Sequence, residues 1–316
     1  MPEIPIEKFD ALAHFLNEAG IPFERNFSIK EYTSFRIGGT AEIFARPKNA
    51  QQAAVLQKSI FTDRIPHYYL GGGSNILVSD NPYAGVVIYY DAGEDFLILE
   101  QSADFLRVSI PASARAPLAG KRISALGYTG MEFLTTIPGY IGGAVIQNAG
   151  CYGQELCDIT ESVEFCLNGE VITIPKEEAD FSYRSSRFKT ETESLITSLT
   201  VRLSRGDESQ IRSRIEDYKQ RRLNSQPRNR RSAGSVFKNP HSSVSEKKAW
   251  QLIDQCGLRG TVAGDAEISS EHCNFIVNRG KATSQDVYSL ICLIEETVYS
   301  QTGIRLEREV VLLGDF

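Results

Sequence analysis

The sequence predicts an α+β protein in which two β-rich lobes precede a smaller mixed domain. Three observations carry that prediction. Short β-rich runs crowd the middle of the chain, apolar residues at helical spacing mark both ends, and the texture changes after Arg205, where a charged helix begins. No internal repeat is visible.

Taken in order, Phe9, Leu12, Ala13 and Leu16 recur at helical spacing, and Gly20 sits where that helix should stop. A second helix is expected over 49–60, with Asn49 as its N-cap. Residues 65–70 read as a strand running into Gly71-Gly72-Gly73-Ser74-Asn75. Further strands are expected at 86–90, 105–110, 163–167, 171–174 and 195–203, interrupted by one helix over 112–126. Strict alternation over 195–203 suits a half-buried antiparallel strand. Residues 207–225 form the charged helix, followed by a loop over 226–231. Two amphipathic helices come later. One spans 245–256 and is ended by Gly257; the other spans 284–301, with Ser284 as N-cap and Gly303 just past its end. A strand over 305–313 closes the chain, and it is expected to pack back on the first lobe.

Composition narrows the function. The 316 residues are 41% hydrophobic and 23% charged, which excludes collagen-like, low-complexity and wholly disordered chains. Forty acids against thirty-four bases give a net charge of −6, so a dedicated nucleic-acid binder is disfavoured. No run approaches the ~18–20 apolar residues of a membrane span, and the N-terminus lacks the basic-then-apolar order of a signal peptide. The six cysteines (151, 157, 166, 256, 273, 292) form no CxxC pair and suit a reducing compartment. A cytoplasmic protein without a metal, probing neither nucleic acid nor membrane, is therefore expected.

Two glycine clusters stand out. The first, Gly71-Gly72-Gly73-Ser74-Asn75, follows a strand, where glycines let several N–H groups turn toward one anion. The Rossmann pattern fails because Ile76 fills its sixth position, and no G-K-[ST] follows to make a P-loop. A plain tight turn is the commoner use of such a cluster. The second cluster runs from Gly130 to Gly153 and is small, apolar and glycine-rich throughout. It suits either a tightly packed helix–loop or a surface laid along a large planar ligand.

These blocks occur in a telling order. Tyr32-Thr33-Ser34-Phe35-Arg36-Ile37-Gly38-Gly39, Leu70 to Asn75, and Ile137-Pro138-Gly139 through Gly153 are followed by Tyr183-Arg184-Ser185-Ser186-Arg187-Phe188-Lys189. Ser232-Ala233-Gly234-Ser235-Val236-Phe237-Lys238-Asn239-Pro240 and Leu306-Glu307-Arg308-Glu309-Val310 complete the set. The order resembles the UDP-N-acetylenolpyruvoylglucosamine reductases, flavoenzymes of peptidoglycan precursor synthesis, over nearly the whole chain.

The resemblance implies a vanillyl-alcohol-oxidase-like (PCMH-type) FAD-binding module of two α+β lobes, 1–80 and 81–208, with a substrate-binding domain over 209–316. It implies noncovalent FAD, NADPH as reductant and a UDP-sugar enolpyruvyl ether as substrate; a monomer is expected. The cofactor would rest on Gly71, Gly72, Gly73, Ser74 and Asn75, and on Ile137, Pro138, Gly139, Gly142, Gly143, Asn148, Ala149, Gly150, Tyr152 and Gly153. Cys151 lies inside this run, where no histidine offers a covalent histidyl link.

Reducing an enolpyruvyl ether places charge beside a carboxylate, which calls for a cation or donors aimed at it and a positioned acid to finish the reaction. By resemblance, Arg184 binds and polarises the carboxylate, Ser235 gives the proton, and Glu309 pairs with Arg184. Read alone, these would be a surface cation, a turn serine and one of two acids on a solvated strand face. No G-x-S-x-G elbow surrounds Ser235, and only four histidines exist, so hydrolase chemistry finds little support. Glu307 and Glu309 lie two apart on the last strand, and the family motif selects the second. Residues 212–231 hold eight bases against two acids, which suits a diphosphate, although a solvated helix face accounts for about half of such a run. Tyr183, Arg222, Lys238 and Asn239 are the expected contacts of the UDP moiety.

Two departures from the family pattern are visible. Arg231 stands where the family has proline before Ser-Ala-Gly-Ser, and the span 240–275 is too short for the substrate-capping loop of some members. A related FAD-dependent sugar or alcohol oxidase is the alternative reading. Alcohol oxidation needs a base, however, and the set Arg184, Ser235 and Glu309 does not favour it.

Overall fold

The computed structural model describes residues 4–227 and 231–316. Arg228 and Arg230 of the basic segment lie outside the described residues. By its contacts the chain forms two compact units. The first takes the chain up to Arg25, Ile43–Gly72 and Ala84–Arg222; the second takes Asn26–Glu42, Gly73–Tyr83 and Leu223–Phe316. The units are thus not consecutive stretches of sequence, unlike the three segments 1–80, 81–208 and 209–316. Long-range pairing is the cause. Ile76–Val78 pairs in parallel with Val311–Leu313, and the Asn278 amide donates to the Phe35 carbonyl at 2.8 Å, which draws both early segments into the second unit. Most of the charged helix Glu208–Ser225 groups with the first unit, up to Arg222.

In the first unit, helix Ile6–Glu18 buries Phe9, Leu12 and Leu16. Helix Ala50–Asp63 begins at Asn49, whose side chain accepts from the Gln52 N–H at 2.9 Å. Residues 67–69 pair in parallel with 86–88, and the chain leaves that strand into the first glycine cluster. The larger sheet is six-stranded, in the order Glu170–Pro175, Thr160–Leu167, Leu195–Arg205, Phe105–Pro111 and Leu97–Gln101, with Tyr128–Thr129 pairing beside Leu195–Arg205. Every pairing in it is antiparallel. The alternation over 195–203 does its expected work, since Leu199, Val201 and Leu203 are buried. Helix Ala116–Ser124 is shorter than the expected 112–126, because Pro117 can stand only in its first turn.

One buried ion pair ties the charged helix down. The Glu132 side chain is 1% exposed and meets the Arg214 guanidinium at 2.8 Å. Its oxygens also accept from the Thr129 hydroxyl at 2.7 Å and the Gly130 N–H at 2.6 Å. Burial pushes the carboxyl pKa up, but the bonds from Thr129, Arg214 and Gly130 outweigh it and hold the group below its ordinary value. A carboxyl lowered in the folded state stabilises above its unfolded pKa, and that stability drains away as pH falls through the folded value. Glu132→Gln should therefore cost about 2 kcal/mol at neutral pH, less than a fully buried pair because Arg214 is partly exposed. Urea unfolding at pH 7 and at pH 3.5 checks this, and the difference between the proteins should shrink in acid. A difference that grew in acid would reverse the assigned sign.

In the second unit, Val262–Ala263, Ala266–Ile268 and Ile276–Asn278 form a three-stranded antiparallel sheet. Helices Ala249–Gln255 and Ser284–Thr302 supply Leu252, Ile253, Val287, Leu290, Ile291 and Ile294 to its core. The N-cap of the last helix is Thr283 rather than Ser284. Thr283 accepts from the Asp286 N–H at 3.1 Å and Asp286 returns the bond, while the Ser284 N–H donates to the Asp80 carboxylate. The expected closing strand over 305–313 is divided. Arg308 bridges Phe237 in antiparallel sense, and only Val311–Leu313 joins Ile76–Val78. No helix among the described residues is long and apolar enough to cross a membrane.

Candidate active site

The first unit carries the second glycine cluster and Arg184. The backbone there is packed on one side and bare on another. A Cβ on Gly72 would lie 2.9 Å from Gly139 Cα and 3.1 Å from the Tyr140 ring, so the two clusters touch through glycine. Gly150 is similarly confined, with Glu155 Cα 3.0 Å from its missing Cβ. By contrast a Cβ on Gly71, Gly143 or Gly153 would meet no atom within 4 Å. Such exposed main chain is what a flat dinucleotide-like group needs for close approach, so the residues present fit the expected FAD. Ile137 is half-buried and Pro138 exposed at the start of the run. Gly139, at φ 103°, gives its carbonyl to the Ala116 N–H at 2.9 Å. Gly142 fixes the following turn through its N–H to the Ala112 carbonyl at 2.9 Å.

Two side chains of the run brace it. Asn148, fully buried and at φ 41°, donates to Glu155 Oε2 at 2.8 Å and to the Ser182 carbonyl at 3.1 Å, and accepts from the Cys157 N–H at 3.0 Å. The main chain on either side is held too, with the Ala149 carbonyl accepting from the Leu156 N–H at 3.0 Å. Tyr152 stacks on Tyr218 at a centroid distance of 4.5 Å and 12° between planes, and its hydroxyl donates to the Tyr218 carbonyl. Tyr218 escapes sequence reasoning because it sits in a helix read for its charges. Its signal is the buried pair Ile211 and Tyr218, seven residues apart on one helix face.

Arg184 adopts a left-handed backbone at φ 54°, donates to the Gly150 carbonyl at 2.8 Å and lies over the Tyr183 ring at 5.1 Å. The predicted cation is therefore anchored on the glycine run itself. Cys151 reports the same neighbourhood. Burial pushes its thiol pKa up, while the Thr136 hydroxyl and the charges of Arg222 and Arg184 pull it down without cancelling the rise. The thiol points at the Phe133 carbonyl, 3.6 Å away. Tyr183 is 53% exposed.

The second unit carries Gly73, Ser74, Asn75, Ser235 and Glu309 on one framework. The Glu309 N–H donates to the Val236 carbonyl at 2.8 Å, so the half-buried Ser235 begins a segment paired with the stretch that holds the acid. Asn75 closes the third side. Its side-chain amide donates to the Glu309 carbonyl at 3.0 Å, and its own carbonyl accepts from the Val311 N–H at 3.0 Å. Gly73, at φ 60°, accepts from the Ser34 N–H at 2.9 Å, and the half-buried Ser74 stands between it and Asn75. Lys238 is ion-paired with Glu307, and the Asn239 side chain accepts from the Ala249 N–H at 3.2 Å. Glu307 thus faces Lys238, while the Glu309 main chain pairs with Val236, the residue after Ser235.

Of the basic run, Arg212, Lys219 and Arg221 pair with Glu208, Glu216 and Asp217 of their own helix, and Arg214 is taken by Glu132. Four of its bases thus serve the helix and its anchoring. Among the described residues, no group of three or more His, Cys, Asp or Glu side chains could hold a metal.

Comparison with known proteins joins these pieces. A family model described as an FAD binding domain matches residues 41–175, and one described as the UDP-N-acetylenolpyruvoylglucosamine reductase C-terminal domain matches residues 226–313. The UDP-N-acetylenolpyruvoylglucosamine reductase of Leptospira interrogans is 43% identical over 96% of this chain and 95% of its own length. That of Clostridioides difficile is 36% identical over 91% and 92%. The solved reductase from Thermus caldophilus superposes with a TM-score of 0.78 at 30% identity, covering 93% of this chain and all of its own.

Proposed function

The chain belongs to the UDP-N-acetylenolpyruvoylglucosamine reductase family, and from that premise we propose how it performs the family reaction. It is an FAD-dependent oxidoreductase that uses NADPH to reduce UDP-N-acetyl-3-O-(1-carboxyvinyl)-glucosamine to UDP-N-acetylmuramate. When bound, FAD would supply the hydride chemistry between NADPH and the alkene.

The remaining chemistry falls to the side chains. The Arg184 guanidinium holds the enolpyruvyl carboxylate in its planar fork and draws charge toward it. Ser235 delivers the proton to the carbon beside that carboxylate, and Glu309 acts as the partner of Arg184 around the charge that develops there. Backbone N–H groups of 71–75 and 137–153 bind the cofactor noncovalently; the tucked, raised-pKa thiol of Cys151 agrees with that. Tyr183, Arg222, Lys238 and Asn239 serve the UDP end. We read the working protein as a cytoplasmic monomer. The observation that supports these residue roles is the Glu309-to-Val236 main-chain hydrogen bond, which joins the motif of the expected acid to the residue after the expected proton donor.

Anaerobic absorbance tests the reaction. The flavin spectrum should bleach with NADPH and return when the enolpyruvyl substrate is added. A spectrum that returned only with oxygen would replace the reductase with an oxidase. Arg184→Lys keeps a charge but loses the fork, so the second half-reaction should slow about 100-fold with the first unchanged. Stopped-flow traces of the two half-reactions read this directly, and wild-type reoxidation would remove Arg184 from the mechanism.

A further inference from the structure

We propose that Asn274 is a positioning residue for Ser235, holding the proton donor in line through the two residues that follow it. The proposal rests on the reading of Ser235 given above. Asn274 is 4% exposed and contacts the 236–237 segment three times. Its main-chain carbonyl accepts from the Val236 N–H at 2.8 Å. Its side chain then treats Phe237 as a strand neighbour would, accepting from the Phe237 N–H at 3.0 Å and donating to the Phe237 carbonyl at 2.8 Å. On the far side, the Val236 carbonyl takes the Glu309 N–H, and the Lys238 N–H donates to the Glu307 carbonyl at 2.9 Å. Ser235 therefore leads a segment gripped between Asn274 and the main chain of residues 307–309.

Only a carboxamide fills this place. Aspartate keeps the acceptor but sets a carboxylate oxygen against the Phe237 carbonyl, and leucine keeps the shape with neither bond. Val236 and Phe237 are each 1% exposed, so no water replaces the missing partner, and the segment must shift to relieve it. A shift of order 1 Å at a reacting group slows chemistry about 100-fold. The residues that make this grip come from His272-Cys273-Asn274-Phe275, a stretch that shows no charge pattern or glycine to mark it.

The experiment uses the full-length, FAD-loaded protein and follows both half-reactions by stopped flow. Asn274→Asp should leave flavin content and reduction by NADPH at wild-type values and slow reoxidation by substrate about 10- to 100-fold. The decisive measurement is the double variant with Ser235→Ala. If Asn274 acts through Ser235, the double variant is no slower than Ser235→Ala alone; multiplied defects would show an independent structural role and overturn the proposal. Asn274→Ser, whose uncharged hydroxyl can donate or accept but cannot span both Phe237 groups, should be slowed, though less than Asn274→Asp. Loss of flavin or of a cooperative unfolding transition in both Asn274 variants would make the residue a scaffold element and also overturn it. Unchanged reoxidation in Ser235→Ala itself would instead refute the role of Ser235, so the two failures are distinct.

Discussion

Ser235→Ala should leave reduction of the flavin by NADPH untouched and slow its reoxidation by the enolpyruvyl substrate by about 10²–10⁴-fold, the usual worth of a positioned general acid. The asymmetry matters more than the size. Hydride transfer from NADPH asks nothing of a hydroxyl, whereas the second half-reaction cannot finish until a carbon is protonated. Ser235 has no histidine or elbow to sharpen it, so its effectiveness depends on placement. The backbone pairing of residues 236–238 with 307–309 supports the proposed placement. Anaerobic stopped-flow absorbance separates the two halves in one preparation. Equal slowing of both would mean that the substitution disturbed the cofactor rather than the proton.

Gly73→Ala should be the most damaging substitution in the first glycine cluster, and its damage should be structural. The residue holds φ at 60°, and a Cβ there would overlap the Tyr32 carbonyl oxygen and stand 2.8 Å from Thr33 Cα. The left-handed backbone costs an alanine about 1 kcal/mol and the forced overlap adds about 1–3 kcal/mol. Both neighbours are main chain, so neither can rotate away. The thermal midpoint should drop by several degrees and the purified protein should carry less flavin. Gly71→Ala is the matched comparison, since its Cβ would meet no atom within 4 Å; its thermal midpoint should stay at the wild-type value. Equal losses in both would show that the cluster is sensitive to bulk alone.

How far the sequence reached depends on how local each signal was. The helix starting after Asn49 was legible because its cap lies three residues from its partner, and the strand over 195–203 because alternation is visible within it. Ser284 is the expected cap and Thr283 the observed one, since both are hydroxyl residues and only the bond to Asp286 tells them apart. The interleaving of the two units was legible only in the expectation that the closing strand packs back on residues 1–80. Nothing in 26–42 announces its partners near residue 278. At the candidate site, glycines and ordered motifs pointed to Arg184, Ser235 and Glu309. The groups that hold those residues, such as the Gly150 carbonyl under Arg184, are backbone atoms and leave no trace in residue identity.

The parallel pairing of Ile76–Val78 with Val311–Leu313 also has a consequence in time. A chain made from its N-terminus exposes Ile76, Leu77 and Val78 long before their partner strand exists, and all three are buried once it does. The Ser79 hydroxyl waits likewise for the Asp315 carbonyl, 236 residues away. The first unit has all its residues once Arg222 is clear, whereas the second cannot close until residues 311–313 have been made. Through that interval the growing chain carries an open, apolar strand edge, the kind that recruits other chains. Asn75, whose carbonyl receives the Val311 N–H, is then among the last residues to be fixed, so the capacity to hold Glu309 in place arrives only with the final strand.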